Sequence, residues 1–407
     1  MSGDTSARKL PRHEEHTEEK VDFSAPKSVR RRYKWFSVRL GVDMTFLFVI
    51  LLLLIIGLIM MFSASYPAAL HYKNNSYYYL SRQGTFMIVG VAVMILTSYF
   101  DYHHLHKLAP IVLLISFVLL GVVLIMPTNV PGVHRWINFG FFDLQASEVS
   151  KFAIILFMAH WGSIYANKMD TFKVGVLPGL LILILTCGLL YLEPHYSGIV
   201  IMIMLMAVMM FIGGVKVRYF VIAGIAVVAV ILVLILTDNL GYAMERLDGW
   251  GQALTYVDDE LWQKTYQTRN SLYAIGSGGF WGLGLGQSRQ KYLYLPEAQN
   301  DFVFAVVCEE LGFIGAFLIL LIFAFFVWRG ITISMRAKDK FGMLLGIGLT
   351  AQVGIQVVLN ILVITDWLPN TGISLPFFSY GGSSLIMILF QMGIILSISR
   401  TANIEKV

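Results

Sequence analysis

Ten mostly apolar stretches are spaced along this chain, at about 44–64, 84–100, 106–126, 149–166, 174–192, 197–213, 217–237, 302–328, 342–365 and 382–399. Most approach the ~20 consecutive apolar residues that a helix needs to cross the hydrocarbon of a bilayer. A soluble chain could not keep that many such stretches from water. The composition agrees: 57% of the 407 residues are hydrophobic and 14% charged, with a mean hydropathy of +0.71, as in polytopic membrane proteins. The predicted fold is all-α, a bundle of about ten transmembrane helices over 44–399, with a large outer loop at 238–301 between the seventh and eighth.

The connections orient this bundle. Residues 1–43 carry ten Lys/Arg and seven Asp/Glu. The first thirty or so read as a disordered tail, and Arg30, Arg31, Arg32 and Lys34 are expected on the cytoplasmic headgroups. Such a polar lead is too long for an ordinary n-region, so the first span is expected to act as an uncleaved signal. With the N-terminus inside, the inner loops carry Lys107, Lys168, Lys173, Lys216, Arg218, Arg329, Arg336, Lys338 and Lys340, and the tail at 400–407 adds Arg400 and Lys406. The outer turn 193–196 and the outer loop 366–381 have neither Lys nor Arg; Lys73, Arg82 and Arg135 are outer exceptions. This positive-inside bias predicts a cytoplasmic location for both termini. The net charge of +5 therefore reflects topology and does not point to nucleic acid. Cys187 and Cys308 lie in apolar runs, which predicts neither a disulfide nor a metal site.

Four stretches carry polar chemistry that lipid-facing helices do not need, and the topology puts all four on the outer side. The first is "VHRWINFGFFDLQASEVSK" (133–151). Arg135 could pair with a phosphate, and Trp136 could sit at the membrane interface. Glu148 and Lys151 stand i,i+3 on the helix that begins there, so they can face each other. The plainer alternative is an aromatic belt with an ion pair at a helix start. The second is "GSGGFWGLGLGQSRQKYLYLPEAQND" (276–301), with six glycines in eleven residues. Such a backbone can approach a ligand closely, and Arg289 and Lys291 could hold the phosphates of a lipid headgroup. A flexible loop with charges facing water is the alternative.

The third is "LPEAQNDFVFAVVCEELGFIG" (295–315), where Glu297, Asp301, Glu309 and Glu310 lie in or beside a spanning segment. Acids there need a partner or a task. Asp301, at the start of the eighth span, is either a helix cap or a general base facing a water-filled cleft. Glu309 and Glu310 lie ~12 Å deeper. On a helical wheel Glu309 is about 80° from Asp301 and Glu310 nearly opposite it, so the two cannot serve one site. They are expected to be structural, with Gln352, Gln356 and Asn360 of the ninth span as a polar stripe that could hydrogen-bond one of them. The fourth is "DWLPNTGISLPFFSYGGSSL" (366–385), whose prolines and glycines predict a re-entrant or cavity-lining loop.

Taken together, "YLPEAQNDFVFAVVCEELGFIG", "LPFFSYGGSSL", "RWINFGFFDLQASEVSKF" and "SLYAIGSGGFWGLGLGQSRQK" resemble the motifs of the SEDS family (shape, elongation, division and sporulation), whose members include FtsW, RodA and SpoVE. The resemblance covers about residues 40–400. The long basic N-terminal tail and "PNTGISLPFFSYGG" lean towards the FtsW/SpoVE branch. Three local departures stand out: Ala146 where the family usually has Pro, His195 in "LEPHYSG" where it often has an acidic residue, and an acidic insert "TYVDDELWQK" at 255–264.

The resemblance implies a multi-pass protein of the bacterial cytoplasmic membrane that polymerises lipid II into glycan strands on its outer face. It implies Asp301 as the essential aspartate, with Trp136, Glu148 and Lys151 matching other family site residues. Arg135, Arg289, Lys291, Glu297 and Ser379 complete the expected substrate-binding set. The expected chemistry is inverting glycosyl transfer, with lipid II and an undecaprenyl-pyrophosphate-linked glycan as the substrates. A class B penicillin-binding protein, within the division, elongation or sporulation machinery, is the expected partner. No ligand cluster fixes a metal, although a divalent cation could assist. A lipid II flippase or another transporter is the alternative, and it would place working titratable residues near the bilayer midplane. A scaffold that only positions the penicillin-binding protein is a third.

Overall fold

The computed structural model describes residues 41–126, 135–140, 143–225 and 249–401. The expected N-terminal tail before residue 41, the C-terminal tail after 401, most of the seventh expected span and the start of the outer segment fall outside them. Three long helices come first: α1 (Met44–Lys73), α2 (Tyr78–Tyr99) and α3 (His103–Ile125). A small antiparallel hairpin follows, β1 (Trp136–Asn138) and β2 (Asp143–Gln145), running directly into α4 (Ala146–Ile164). A π-helical turn leads into α5 (Leu177–Leu192), and α6 (Tyr196–Gly213) comes next. Two short helices, α7 (Asp259–Lys264) and α8 (Tyr266–Gly278), precede α9 (Val303–Met335), α10 (Lys340–Ile364) and α11 (Gly382–Thr401).

Among the described residues, eight helices are long and apolar enough to cross a membrane. They are α1, α2, α3, α5 with its π turn, α6, α9, α10 and α11. The chain is thus a mostly helical, polytopic membrane protein. α4 occupies the fourth expected span but is less apolar, because Glu148, Lys151 and His160 interrupt its hydrophobic run. It is nonetheless largely buried. The seventh expected span is described only at 217–225, which is helical.

The helix ends follow local chemistry. Asp43 caps α1, accepting a hydrogen bond from the Phe46 amide at 2.8 Å, and pairs with Arg329 of α9 at 2.6 Å. Its carboxylate thereby offsets exposed helix amides and ties α1 to α9. Phe46 and Phe326 stack beside this pair with ring centroids 5.0 Å apart. Asp339 caps α10, accepting from the Gly342 amide at 2.9 Å. The acidic insert becomes α7, whose first turn is capped by Asp258 through the Leu261 amide at 2.7 Å.

α9 is interrupted, and its interruption explains the glycine-rich segment. Gly312 has φ 66° and ψ −171°, far from helical values. A break at membrane depth leaves backbone groups that lipid cannot satisfy. The loop after α8 supplies the missing partners. The Phe313 and Ile314 amides donate to the Gly279 and Phe280 carbonyls at 2.8 and 3.2 Å, while the Leu283 and Gly284 amides donate to the Glu309 and Glu310 carbonyls at 3.0 Å. A Cβ on Gly282 (φ +80°) would stand 2.2 Å from the Glu310 carbonyl oxygen, and one on Gly312 2.2 Å from the Gly282 nitrogen. Only glycine fits either position. The close backbone approach expected in this segment is therefore an approach to α9.

Contrary to the helical-wheel expectation that they cannot serve one site, the two buried glutamates hold the same plug segment, because Ser288 reaches both: its hydroxyl donates to Glu309 and its amide to Glu310. Glu309 accepts from the Ser288 hydroxyl and from the Arg289 amide at 2.9 Å. Glu310 pairs with Lys291 at 2.7 Å and accepts from the Ser63 hydroxyl of α1 at 2.7 Å. The polar stripe on α10 does not serve them, contrary to expectation. Asn360 instead donates to the backbone carbonyls of Asp301 and Ile373, at 2.8 and 2.6 Å, because these loops cover its end of α10. The connection between α10 and α11 both enters the bundle and lines a cavity. The Phe377 and Phe378 rings are buried and pack on Phe323 of α9 with centroids 6.5 and 5.6 Å apart.

Candidate active site

Five segments converge on one cavity of about 540 Å³: the start of α2, the β1–β2 hairpin with the first turns of α4, the turn between α5 and α6, residues 297–301, and the loop 372–382. Its size is that of a typical ligand site. The hairpin pairs Trp136 with Gln145 and Asn138 with Asp143, so one short strand carries the 135–136 end and the other runs straight into α4.

Asp301 lies just before α9, half-buried, and lines the cavity. Asn360 fixes its backbone from below. Gly372 (φ +68°) faces its carboxyl so closely that a Cβ there would stand 2.9 Å from Oδ2. Burial raises the Asp301 pKa to about 6, reinforced by the nearby Glu297 charge, while Arg135 pulls the other way. Desolvation disfavours the carboxylate and the like charge adds to it. A carboxyl in this range can take a proton near neutral pH and release it again.

Part of the lining is cationic. Lys151 and Glu148 form a 2.7 Å pair, both side chains buried, and the second Glu148 oxygen has no hydrogen-bond partner. Arg135 donates to the Pro194 carbonyl, which places its guanidinium over the α5–α6 turn. His195 of that turn lines the cavity and is 7% exposed. Burial, with the fields of Arg135 and Lys151, lowers its pKa to about 3, so its imidazole is neutral. Glu193 is fully buried and raised to about 8 by burial, opposed by Arg135.

Of the residues expected from sequence, the cavity gathers Arg135, Trp136, Glu148, Lys151, Glu297, Asp301 and Ser379. Ser379 also accepts a hydrogen bond from the Leu375 amide at 2.7 Å, closing the turn that carries it. Glu297 has φ +52° and is bridged to Asn300 at 2.6 Å. Arg289 and Lys291 are not among the lining residues. Lys291 is 4% exposed and committed to Glu310 and Ser63, because the plug draws it into the bundle. Arg289 is exposed, and its backbone amide is bound to Glu309. Arg82, Asp143, His195 and Tyr380 also line the cavity. The sequence did mark Arg82, as an arginine on the outer side where positive charge is disfavoured, and His195, as a departure from the resembled motif. Among the described residues, no three His, Cys, Asp or Glu side chains are grouped to hold a metal ion.

The FtsW/RodA/SpoVE family, described as cell cycle protein, matches residues 43–404. Stage V sporulation protein E of Bacillus subtilis (strain 168) is 38% identical over 360 residues, which cover 88% of this chain and 97% of that protein. A probable peptidoglycan glycosyltransferase FtsW of Trichlorobacter lovleyi is 35% identical, over 88% of this chain and 93% of its own. Among solved structures, a chain from a study of how a peptidoglycan synthase complex coordinates polymerization and crosslinking aligns with a TM-score of 0.74 at 23% identity, covering 90% of this chain and 100% of that one. The rod shape determining protein RodA of Thermus thermophilus aligns with a TM-score of 0.64 at 23% identity, over 90% and 99%. These two structures share the fold.

Proposed function

The chain belongs to the FtsW/RodA/SpoVE family of cell cycle proteins, and on that premise we propose that it is a peptidoglycan glycosyltransferase that polymerises lipid II on the outer face of the cytoplasmic membrane. The observation that carries the reading is Asp301, a half-buried carboxyl with a pKa near 6 in a cavity walled by Arg135 and Lys151. The name of the Trichlorobacter lovleyi relative supports the activity. Asp301 takes the proton of the acceptor's sugar hydroxyl as that oxygen attacks the anomeric carbon of the lipid-linked strand. The bond from that carbon to the pyrophosphate oxygen breaks, with inversion, and undecaprenyl pyrophosphate leaves. Charge grows on the leaving pyrophosphate, and fixed cations are best placed to stabilise it. Arg135 and Lys151 are assigned that task, and a divalent cation, were one bound, would add positive charge to it. Trp136, 47% exposed at the cavity, offers a flat face for a sugar ring, and Glu148 holds Lys151 in position.

A transporter would need working acids within the bundle. Glu309 and Glu310, the best placed, are engaged by the plug and by Lys291, which disfavours that reading. We further propose a class B penicillin-binding protein as the partner, within the division, elongation or sporulation machinery, and cytoplasmic termini. Purified protein with that partner and labelled lipid II should yield a ladder of glycan polymers. No ladder under conditions where both proteins are folded and associated would refute the activity.

A further inference from the structure

A second cleft lies at the same end of the bundle as Asp301, where α9 begins and α10 ends. Its volume is about 610 Å³, and Trp250, Leu254, Leu272 and Trp367 form its apolar walls. The mechanism above makes no use of it. Exposed tryptophans in a membrane protein commonly anchor it at the lipid interface, and Trp367 is 74% exposed. Anchors need no fixed relation to each other, but this pair has one. The Trp250 indole N–H donates to the Asp366 carbonyl at 3.2 Å, one residue before Trp367. That hydrogen bond uses the polar edge of the ring and leaves its face for a ligand. Asp366 has φ +61°, a left-handed backbone that a residue with a Cβ keeps only where its surroundings hold it, and that gathers at ligand sites. The surroundings hold it here. The Trp367 and Leu368 amides donate to the Leu362 carbonyl at 2.9 and 3.0 Å, and the Ser271 hydroxyl of α8 donates to the Ile364 carbonyl at 2.9 Å. The cleft is thus pre-formed, as small-molecule sites usually are.

The cleft is also tied to the reacting carboxyl. The segment 367–372 leaves it and ends at Gly372, where a Cβ would stand 2.9 Å from Asp301 Oδ2. Five residues of chain reach at most ~18 Å, which bounds the separation of Trp367 from that point. Midway, Asn370 donates to Gln267 of α8 at 2.8 Å, and Gln267 donates to the Pro296 carbonyl at 3.1 Å, one residue before Glu297 of the catalytic cavity. One braced segment therefore has the cleft at one end and Asp301 at the other. A glycan polymerase needs such a surface. The reacting end of the strand must stay at Asp301, while the sugars already joined have to leave a cavity of about 540 Å³. Sugar rings present apolar C–H faces that stack on an indole. We propose that the Trp250–Trp367 cleft binds the sugars of the growing glycan strand after they leave the catalytic cavity. This inference rests on the glycosyltransferase reading. By holding the strand between transfers, the cleft sets how many transfers it receives before release.

The binding probe is a soluble, lipid-free hexasaccharide of alternating N-acetylglucosamine and N-acetylmuramic acid, carrying a fluorophore whose anisotropy is read on the full-length protein in detergent. Trp367→Ala should weaken its binding by about tenfold, a loss typical of a truncated aromatic anchor, with the thermal unfolding midpoint unchanged. Trp367→Phe should keep most of the affinity. In the polymer-ladder assay Trp367→Ala should shorten the products, while the initial rate of lipid II consumption changes by less than about threefold, because the cleft touches neither the base nor the leaving group. Hexasaccharide affinity unchanged in both Trp367→Ala and Trp250→Ala would overturn the proposal, and so would products of wild-type length from Trp367→Ala. If Trp367→Ala loses the penicillin-binding protein and keeps its hexasaccharide affinity, the cleft is a protein interface and the proposal is overturned as well. A wild-type protein that makes no ladder refutes the activity instead, and the hexasaccharide measurement still decides whether the cleft binds glycan.

Discussion

Replacing Lys291 tests whether this cation acts on substrate or on the fold. Lys291 and Glu310 are 4% and 1% exposed and 2.7 Å apart. Lys291→Met removes the cation but keeps the apolar stem, leaving Glu310 with the Ser63 hydroxyl at 2.7 Å and the Ser288 amide at 3.3 Å. Breaking a buried pair on one side typically costs about 3–5 kcal/mol, because an uncompensated charge stays behind. The two remaining donors favour the lower end, about 3 kcal/mol. At roughly 2 °C per kcal/mol for a chain of this size or larger, the unfolding midpoint should fall on the order of 6 °C. Lys291→Met with Glu310→Gln removes both charges and should recover much of this, giving a coupling of about 2 kcal/mol or more. Tryptophan fluorescence during thermal unfolding in detergent reads the midpoints. Polymerisation of lipid II, measured well below them, should stay within a few-fold of wild type for the double variant. If Lys291→Met unfolds at the wild-type temperature while polymerisation is lost, Lys291 contacts the substrate and its place in the plug is incidental.

Asp301→Asn should lower polymerisation by about 100-fold or more, since general-base catalysis is commonly worth 10²–10⁴; near-normal ladders would remove Asp301 from the base's role. In the wild-type enzyme the rate should rise with pH through about 6 and level off above it, because only the ionised carboxyl accepts the proton. The folded pKa is raised, so the folded state holds this proton more tightly than the unfolded one. The associated stability is present at acidic pH and lost as pH rises through about 6, and Asp301→Asn should therefore gain thermal stability relative to wild type at pH 8 but not at pH 4. Gly282→Ala, with its Cβ 2.2 Å from the Glu310 carbonyl oxygen and φ +80°, should destabilise by at least 1–3 kcal/mol, seen as poor yield of folded protein; wild-type stability would show that the plug can move aside. Cysteines at Gln263 and Lys338, both exposed, report orientation: only Gln263→Cys should react with a membrane-impermeant thiol reagent in intact cells, and the reverse pattern would invert the bundle.

Membrane spans can be read one segment at a time, which is why the sequence alone placed most of them. A run of apolar residues near bilayer length has few options, and basic residues report the side on which a loop lies. Thus α1, α9, α10 and α11 begin within a residue or two of their expected starts, and seven of the nine expected site residues meet in one cavity. The seventh span and both tails lie outside the described residues. What no single segment states is which polar group answers which. Lys291 reads as a phosphate ligand beside Arg289 in the sequence, but Glu310 and Ser63, distant along the chain, draw it into the bundle. The six glycines suggest a ligand loop, yet two of them, Gly278 and Gly282, lie against the α9 backbone beside its break at Gly312. Gln352, Gln356 and Asn360 suggest a stripe for glutamates, yet Asn360 holds the loop bearing Asp301. Inside a membrane, unpaired polar groups are costly enough to decide long-range pairings, and those pairings exist only once the helices have packed.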